Sequence, residues 1–217
     1  MQKPPVTGLV MATMLEAKPF VTNIPLDRIS NDPFPVYRNE LMVLIVSGIG
    51  KANAAMAAFH CCNHFSPDIV VNAGAAGSVD RAFPLGQCYQ VTRIVEYDRP
   101  DISTEDPTIF YPDTVNGFQT ATLATQDRPV IFPDERRKVS DVADLVDMEA
   151  ASVVQACEKQ HTPCLVFKYV TDTPDHTENG DIVNHIRKYR DPFYNFYISS
   201  VVSKLNQHPP EVFPASP

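Results

Sequence analysis

Glu16, Glu149 and Asp172 are three acidic residues that each adjoin an apolar run. Glu16 closes the run from Gly8 to Leu15, Asp172 follows the run from Cys164 to Val170, and Glu149 opens the stretch Ala150 to Val154. Taken singly, each has a modest explanation. Glu16 reads as a solvated loop acid, Glu149 as a complement to the positive end of a helix, and Asp172, between two threonines, as a turn residue bonding its own backbone. Projected together toward one cleft, they match what cleaving a glycosidic bond needs. That reaction passes through a sugar cation, so the departing base needs a proton and the attacking water needs a base on the opposite face. Two acids with different roles suffice, and a third can accept hydrogen bonds from the ribose hydroxyls.

Other chemistries find no support in the spacing. Gly48-Ile-Gly-Lys51 lacks the four residues between glycines and the following hydroxyl residue of a phosphate loop, since Ala52 comes next. Gly74-Ala-Ala-Gly77 fails the dinucleotide fingerprint, and its glycines point instead to close backbone approach by a neighbour or a ligand. The six histidines form no metal-binding pattern, and no Gly-x-Ser-x-Gly elbow offers a nucleophile. No metal and no cofactor are expected. The five cysteines are odd in number, with no Cys-x-x-Cys, and read as reduced core thiols of a cytoplasmic protein. A net charge of -8 without basic runs opposes nucleic-acid binding. The apolar run near the N-terminus is far short of the ~20 residues of a membrane span, so no membrane partner is expected.

The elements that must position these acids follow from pattern. Apolar runs of strand length recur at Gly8 to Leu15, Leu41 to Val46, Asp68 to Asn72, Cys88 to Val95, Gln119 to Thr125 and Cys164 to Val170. Continuous rather than alternating, they suit strands covered on both faces. Helical spacing runs from Lys51 to His64, again from a cap near Asp147, and from Pro192 to Leu205 with Asp191 as cap. The proline-rich stretches Pro19 to Pro35, Pro100 to Pro112 and Pro129 to Pro133 read as loops. The expectation is an α/β fold, a three-layer αβα domain over residues 1–207 with a central mixed, largely parallel sheet, and a flexible tail over 208–217. Ligands of such folds gather beyond the carboxyl ends of the strands.

The ordered set Ala12-Thr-Met-Leu-Glu16, Ser47-Gly-Ile-Gly-Lys-Ala52, Pro67 to Gly77, Asp147-Met-Glu-Ala150 and Lys168-Tyr-Val-Thr-Asp172 resembles the nucleoside phosphorylase and nucleosidase superfamily, within it the methylthioadenosine/S-adenosylhomocysteine nucleosidases. The resemblance covers most of the chain. It implies hydrolysis of a purine nucleoside, with Glu16 activating water, Met148 packing on the sugar, Glu149 binding its hydroxyls and Asp172 donating a proton toward purine N7. Ala75 and Ala76 are expected against the substrate. For Asp172 to act as an acid near neutral pH, burial would have to raise its pKa well above the ~3.9 of a free aspartate.

Relatives that use phosphate carry an arginine where this chain has Asn72, which favours hydrolysis over phosphorolysis. A base-stacking aromatic has no clean counterpart, and Phe132 is the shifted candidate. The segment from Asp98 to Phe118 carries Ile102, Ile109, Phe110, Tyr111 and Phe118, more apolar surface than a free loop exposes. The resemblance implies a homodimer that covers such a segment. Competing readings are a futalosine-type nucleoside hydrolase, a purine nucleoside phosphorylase, and a catalytically silent nucleoside-binding protein.

Overall fold

The computed structural model describes residues 4–100, 102–104, 106–176 and 179–207. In chain order the elements are β1 (Thr7–Met11), α1 (Met14–Asn23), β2 (Asp27–Ser30), β3 (Val36–Arg38), β4 (Met42–Val46), α2 (Lys51–Phe65), β5 (Ile69–Ser78) and β6 (Cys88–Pro100). They continue as β7 (Pro107–Phe110), β8 (Thr120–Thr125), α3 (Pro133–Val139), β9 (Leu145–Asp147), α4 (Ala150–Lys159), β10 (Cys164–Asp172) and α5 (Asn179–Phe196), which passes through a π-helical segment, Tyr197–Val202, into α6 (Ser203–Gln207).

β1, β4 and β10 are buried at every residue, which is why their sequences are mostly apolar without alternation, Lys168 being the charged exception inside β10. β4, β1, β5 and β10 lie side by side and parallel, and antiparallel β3 and β2 extend the sheet beyond β4. The sheet is therefore mixed, with its parallel part where the acids sit. β5 pairs with β1 and β10, and its last two residues, Gly77 and Ser78, pair with β9. From β10 the pairing runs through β6, β8 and β9 back to β5, so five strands close a ring. Helices α2 and α4 cover one apolar face, with Ala54, Ala58, Val153 and Cys157 in the same cluster. Helices α1 and α5 cover the other, where Phe20 meets Phe193 and Tyr197. The three layers are those of an αβα fold.

Several boundaries differ from the sequence expectation, each for a local reason. The run Gly8 to Leu15 divides: β1 stops at Met11, and Thr13 opens α1. Pro19 lies inside α1 rather than in a loop. Its missing N–H would have bonded the Leu15 carbonyl, which instead accepts from Arg190 Nη1 at 3.1 Å. The third helix begins at Asn179, well before Pro192, which lies within it. Ile182, Ile186, Tyr189 and Phe193 form its inward stripe, broken up in sequence by Arg187, Lys188 and Asp191, which are exposed. Pro107 to Phe110, inside one expected loop, is a strand, and Pro133, the end of another, opens the helix Pro133–Val139. The expected tail, 208–217, lies outside the described residues.

Candidate active site

Glu16 sits in the first turn of α1, where it is both a capping residue and a cavity residue. Thr13 Oγ1 accepts from the Glu16 N–H at 3.3 Å, while Glu16 Oε2 accepts from Thr13 N at 3.0 Å and from its hydroxyl at 2.6 Å. This is a capping box, satisfying two otherwise unpaired donors of the helix end. The second carboxylate oxygen, Oε1, accepts from Ala75 N at 2.8 Å. Glu16 is thus pinned between α1 and the middle of β5. A Cβ on Gly74 would stand 2.7 Å from Oε1, so the glycine is what lets the carboxylate approach the strand.

Gly77 does the same for Asp172. A Cβ there would lie 2.5 Å from Asp172 Oδ2. Asp172 closes β10 opposite Gly77 and is buried. Thr171 Oγ1 reaches Asp172 Oδ1 at 3.1 Å, and Arg136 Nη2 donates to Oδ2 in a buried ion pair. The surroundings of this carboxyl therefore include a buried cation as well as apolar strand residues. Both glycines of Asn72-Ala-Gly-Ala-Ala-Gly77 make room for a carboxylate, the neighbour that close approach implied.

Glu149 stands at the N-terminal boundary of α4, where its Oε1 accepts from Gly50 N at 2.9 Å. Gly50 has φ of 99°, a conformation that L side chains rarely adopt, which turns its N–H toward the acid. Burial, then the nearby Asp147 charge, pushes the Glu149 carboxyl up to about 7, and Lys168 opposes the rise. Asp147 is the residue that caps α4 by side chain: its carboxylate accepts from Ala150 N at 2.9 Å and from Thr125 Oγ1 at 2.6 Å. It also meets Lys168 Nζ at 2.8 Å. Lys168 is 2% exposed; burial disfavours its charge, yet Asp147, Glu149 and Glu16 together raise its pKa above the usual lysine value.

These residues surround one cavity of about 160 Å³. Glu16, Glu149 and Asp172 all line it, as do Met148, Ala75 and Ala76, so these six are brought together. Phe132 is not among the lining residues; it is 69% exposed just before α3. Pro129 and Val130, from the same loop, form that wall instead, and Ile182 and Ile186 of α5 close another. Asn72 faces away, its amide donating to Val10 O at 3.2 Å.

Sequence reasoning missed Arg136, the structural part of Lys168, and α5 as a wall. Arg136 belongs to Asp134-Glu-Arg-Arg-Lys138, a charge run that reads as a solvated face. The capping box Thr13-x-x-Glu16 was a usable signal for α1.

The profile of the phosphorylase superfamily matches residues 7–114 and 110–191. A 5'-methylthioadenosine/S-adenosylhomocysteine nucleosidase of Bacillus velezensis is 32% identical over 165 residues, 63% of this chain and 70% of the relative. An aminodeoxyfutalosine nucleosidase of Campylobacter jejuni is 24% identical over 162 residues, 64% of this chain and 71% of the relative. In architecture, the chain is similar to the Neisseria meningitidis 5'-methylthioadenosine/S-adenosylhomocysteine nucleosidase solved with methylthio-immucillin-A, with a TM-score of 0.79 at 23% identity over 91% of this chain and 99% of that one. A futalosine hydrolase mutant of Helicobacter pylori aligns with a TM-score of 0.80 at 19% identity, covering 91% and 98%.

Proposed function

The chain belongs to the phosphorylase superfamily, and from that premise we propose that it is a nucleosidase hydrolysing the N-glycosidic bond of a purine nucleoside of the methylthioadenosine/S-adenosylhomocysteine type. The observation that carries this reading is the convergence of Glu16, Glu149 and Asp172 on one cavity. Each carboxyl is held differently, and the differences suit three roles.

Glu16 takes hydrogen bonds from a backbone N–H and a threonine, neutral donors that orient its carboxylate without a directly paired cation. An oriented carboxylate facing the cavity is the group that can draw a proton from water as it attacks the sugar. Glu149 keeps one oxygen on Gly50 and has the other for ribose hydroxyls, with Met148 packing on the sugar. Asp172 donates the proton that lets the base leave as a neutral molecule. Ala75 and Ala76 present short side chains, leaving room for the nucleoside along β5.

The acceptor is water. Asn72, where phosphate users of the resembled family carry an arginine, is tied to the β1 backbone and brings no cation to the cavity. The test is incubation with methylthioadenosine, S-adenosylhomocysteine, inosine, adenosine and futalosine, scoring free base by chromatography with and without phosphate. Release of adenine from the first two, indifferent to phosphate, is expected. Release that depends on phosphate would overturn the hydrolytic reading.

The working form is a homodimer in the cytoplasm. Exposed Met56 and Phe59 on α2, with Ile49 at 55% exposure on the cavity rim just before that helix, are apolar surface that supports covering by a second copy. In the segment from Asp98 to Phe118, Phe110 is buried and Phe118 packs on Phe167 and Phe196, so the remaining exposed surface there is Ile102, Ile109 and Tyr111. Solution scattering should give twice the mass of one chain, and a monomer at working concentration would refute the dimer. Five free thiols, four of them buried, fit a reducing compartment.

A further inference from the structure

Arg136 is 1% exposed, although its neighbours Arg137 and Lys138 reach water. Burying a guanidinium costs heavily unless it is paired and hydrogen-bonded. Nη1 donates to the carbonyl of Ser78 at the end of β5, and Nη2 to Asp172 Oδ2. Arg136 therefore straddles the end of one strand and the acid at the end of the next, behind the wall that Pro129 and Val130 present to the cavity.

This arrangement makes the two oxygens of Asp172 unequal. Oδ2 is filled by Arg136 and crowded by Gly77. Among the described residues, Oδ1 has the hydroxyl of Thr171, at 3.1 Å, as its one hydrogen-bond partner. That hydroxyl also stands 3.3 Å from the Ala76 carbonyl and has a single hydrogen to give. A carboxylic acid carries its proton on one oxygen, and an oxygen accepting from a guanidinium is not that one. We propose that Arg136 is a positioning residue for Asp172, fixing the transferable proton on Oδ1 and holding the carboxylate that remains after transfer. The inference rests on Asp172 being the proton donor.

The step balances without a further reactant. As the bond from ribose to base breaks, its electron pair passes to the base, and N7 takes the proton from Oδ1. The O–H pair stays on Asp172 as a carboxylate, whose charge the guanidinium at Oδ2 offsets, and Thr171 turns its hydrogen from Ala76 back to Oδ1. Water supplies the group that completes the sugar.

Two substitutions test this on the full-length protein, with methylthioadenosine as substrate. Arg136→Met removes the cation and should lower kcat about 10²-fold, the scale of one general-acid contribution, while KM stays within about threefold. Loss of a cation bonded directly to the proton donor should displace the basic limb of the kcat profile to higher pH. The other titratable and charged groups nearby are unchanged: Glu16, Arg128, Asp147 and Glu149 on the same cavity, His185 on the Thr171 carbonyl and His176 on the Thr173 hydroxyl. Arg136→Lys keeps the charge but not the two-pronged fork, so it should fall between the two in both kcat and pH limb. Should Arg136→Met fail to melt cooperatively, Arg136→Lys decides: wild-type kcat and profile would overturn the proposal. Equal losses in kcat and KM with unmoved limbs and no recovery by lysine would also overturn it, as a purely structural role predicts. Asp172→Asn separates the premise. If it still turns over, the donor assignment fails; if it is dead while Arg136→Met cleaves at wild-type rate, this inference alone fails.

Discussion

The two ends of the cavity hold carboxyls in opposite ways. At the Asp172 end, a guanidinium binds the acid directly. At the Glu16 and Glu149 end, the acids are held by neutral donors: Ala75 N, Thr13 and Gly50 N. The buried cation of that end, Lys168, is spent on Asp147, which caps α4 and takes no role in the proposed chemistry. Three acids of one cavity thus differ by what else is buried beside them. The lesson is that a carboxyl's task is set by its partners.

Asp172→Asn should have the largest effect. It removes the transferable proton while preserving shape, and we expect turnover to fall by at least about 10³-fold, within the range of a general-acid loss. Thermal unfolding should show the fold retained. A variant with substantial activity would erase the distinction between the two ends.

Lys168→Met attacks the other end through stability. Asp147 would be left as a buried charge without its ion-pair partner, at a cost of about 3–5 kcal/mol. Chemical denaturation measures this, and a change under about 1 kcal/mol would mean that water or rearrangement replaces the ammonium.

Glu149 sharpens the comparison through pH. Its folded pKa, about 7, lies above the 4.5 of an ordinary glutamate, so between these values the folded chain binds more protons than the unfolded one. Its stabilising contribution is therefore complete below about pH 4.5 and is lost as pH rises through 7, on the order of 1–3 kcal/mol. Binding of the ribose hydroxyls needs the ionised form, so KM should fall over the same interval in which stability falls. Glu149→Gln should flatten both trends; a variant that keeps the KM trend would show that another group controls it.

Phe132→Ala should have the smallest effect. The side chain is exposed and lies off the cavity, so kcat/KM should stay within about twofold and stability within about 0.5 kcal/mol. A large rise in KM would restore Phe132 to the base-binding wall and change which residues flank Asp172.

Continuous apolar strands were legible because burial on both faces removes the need for alternation, and this revealed β1, β4, β5 and β10 and the end of the sheet where Glu16 and Asp172 emerge. Gly74 and Gly77 announced close approach, since a missing side chain is visible in sequence even when its neighbour is not. Glu16 was legible as an acid after an apolar run, though its helix was not, because Pro19 hid α1 and its compensation comes from Arg190, far along the chain. Arg136 was hidden altogether. Its worth depends on a carbonyl and a carboxylate contributed by β5 and β10, and a single turn of helix decides which arginine of a charged run faces inward. Residue type and spacing determined which groups could react; long-range packing decided which charge each would meet, because Coulomb interactions and desolvation depend on distance in space and not along the chain.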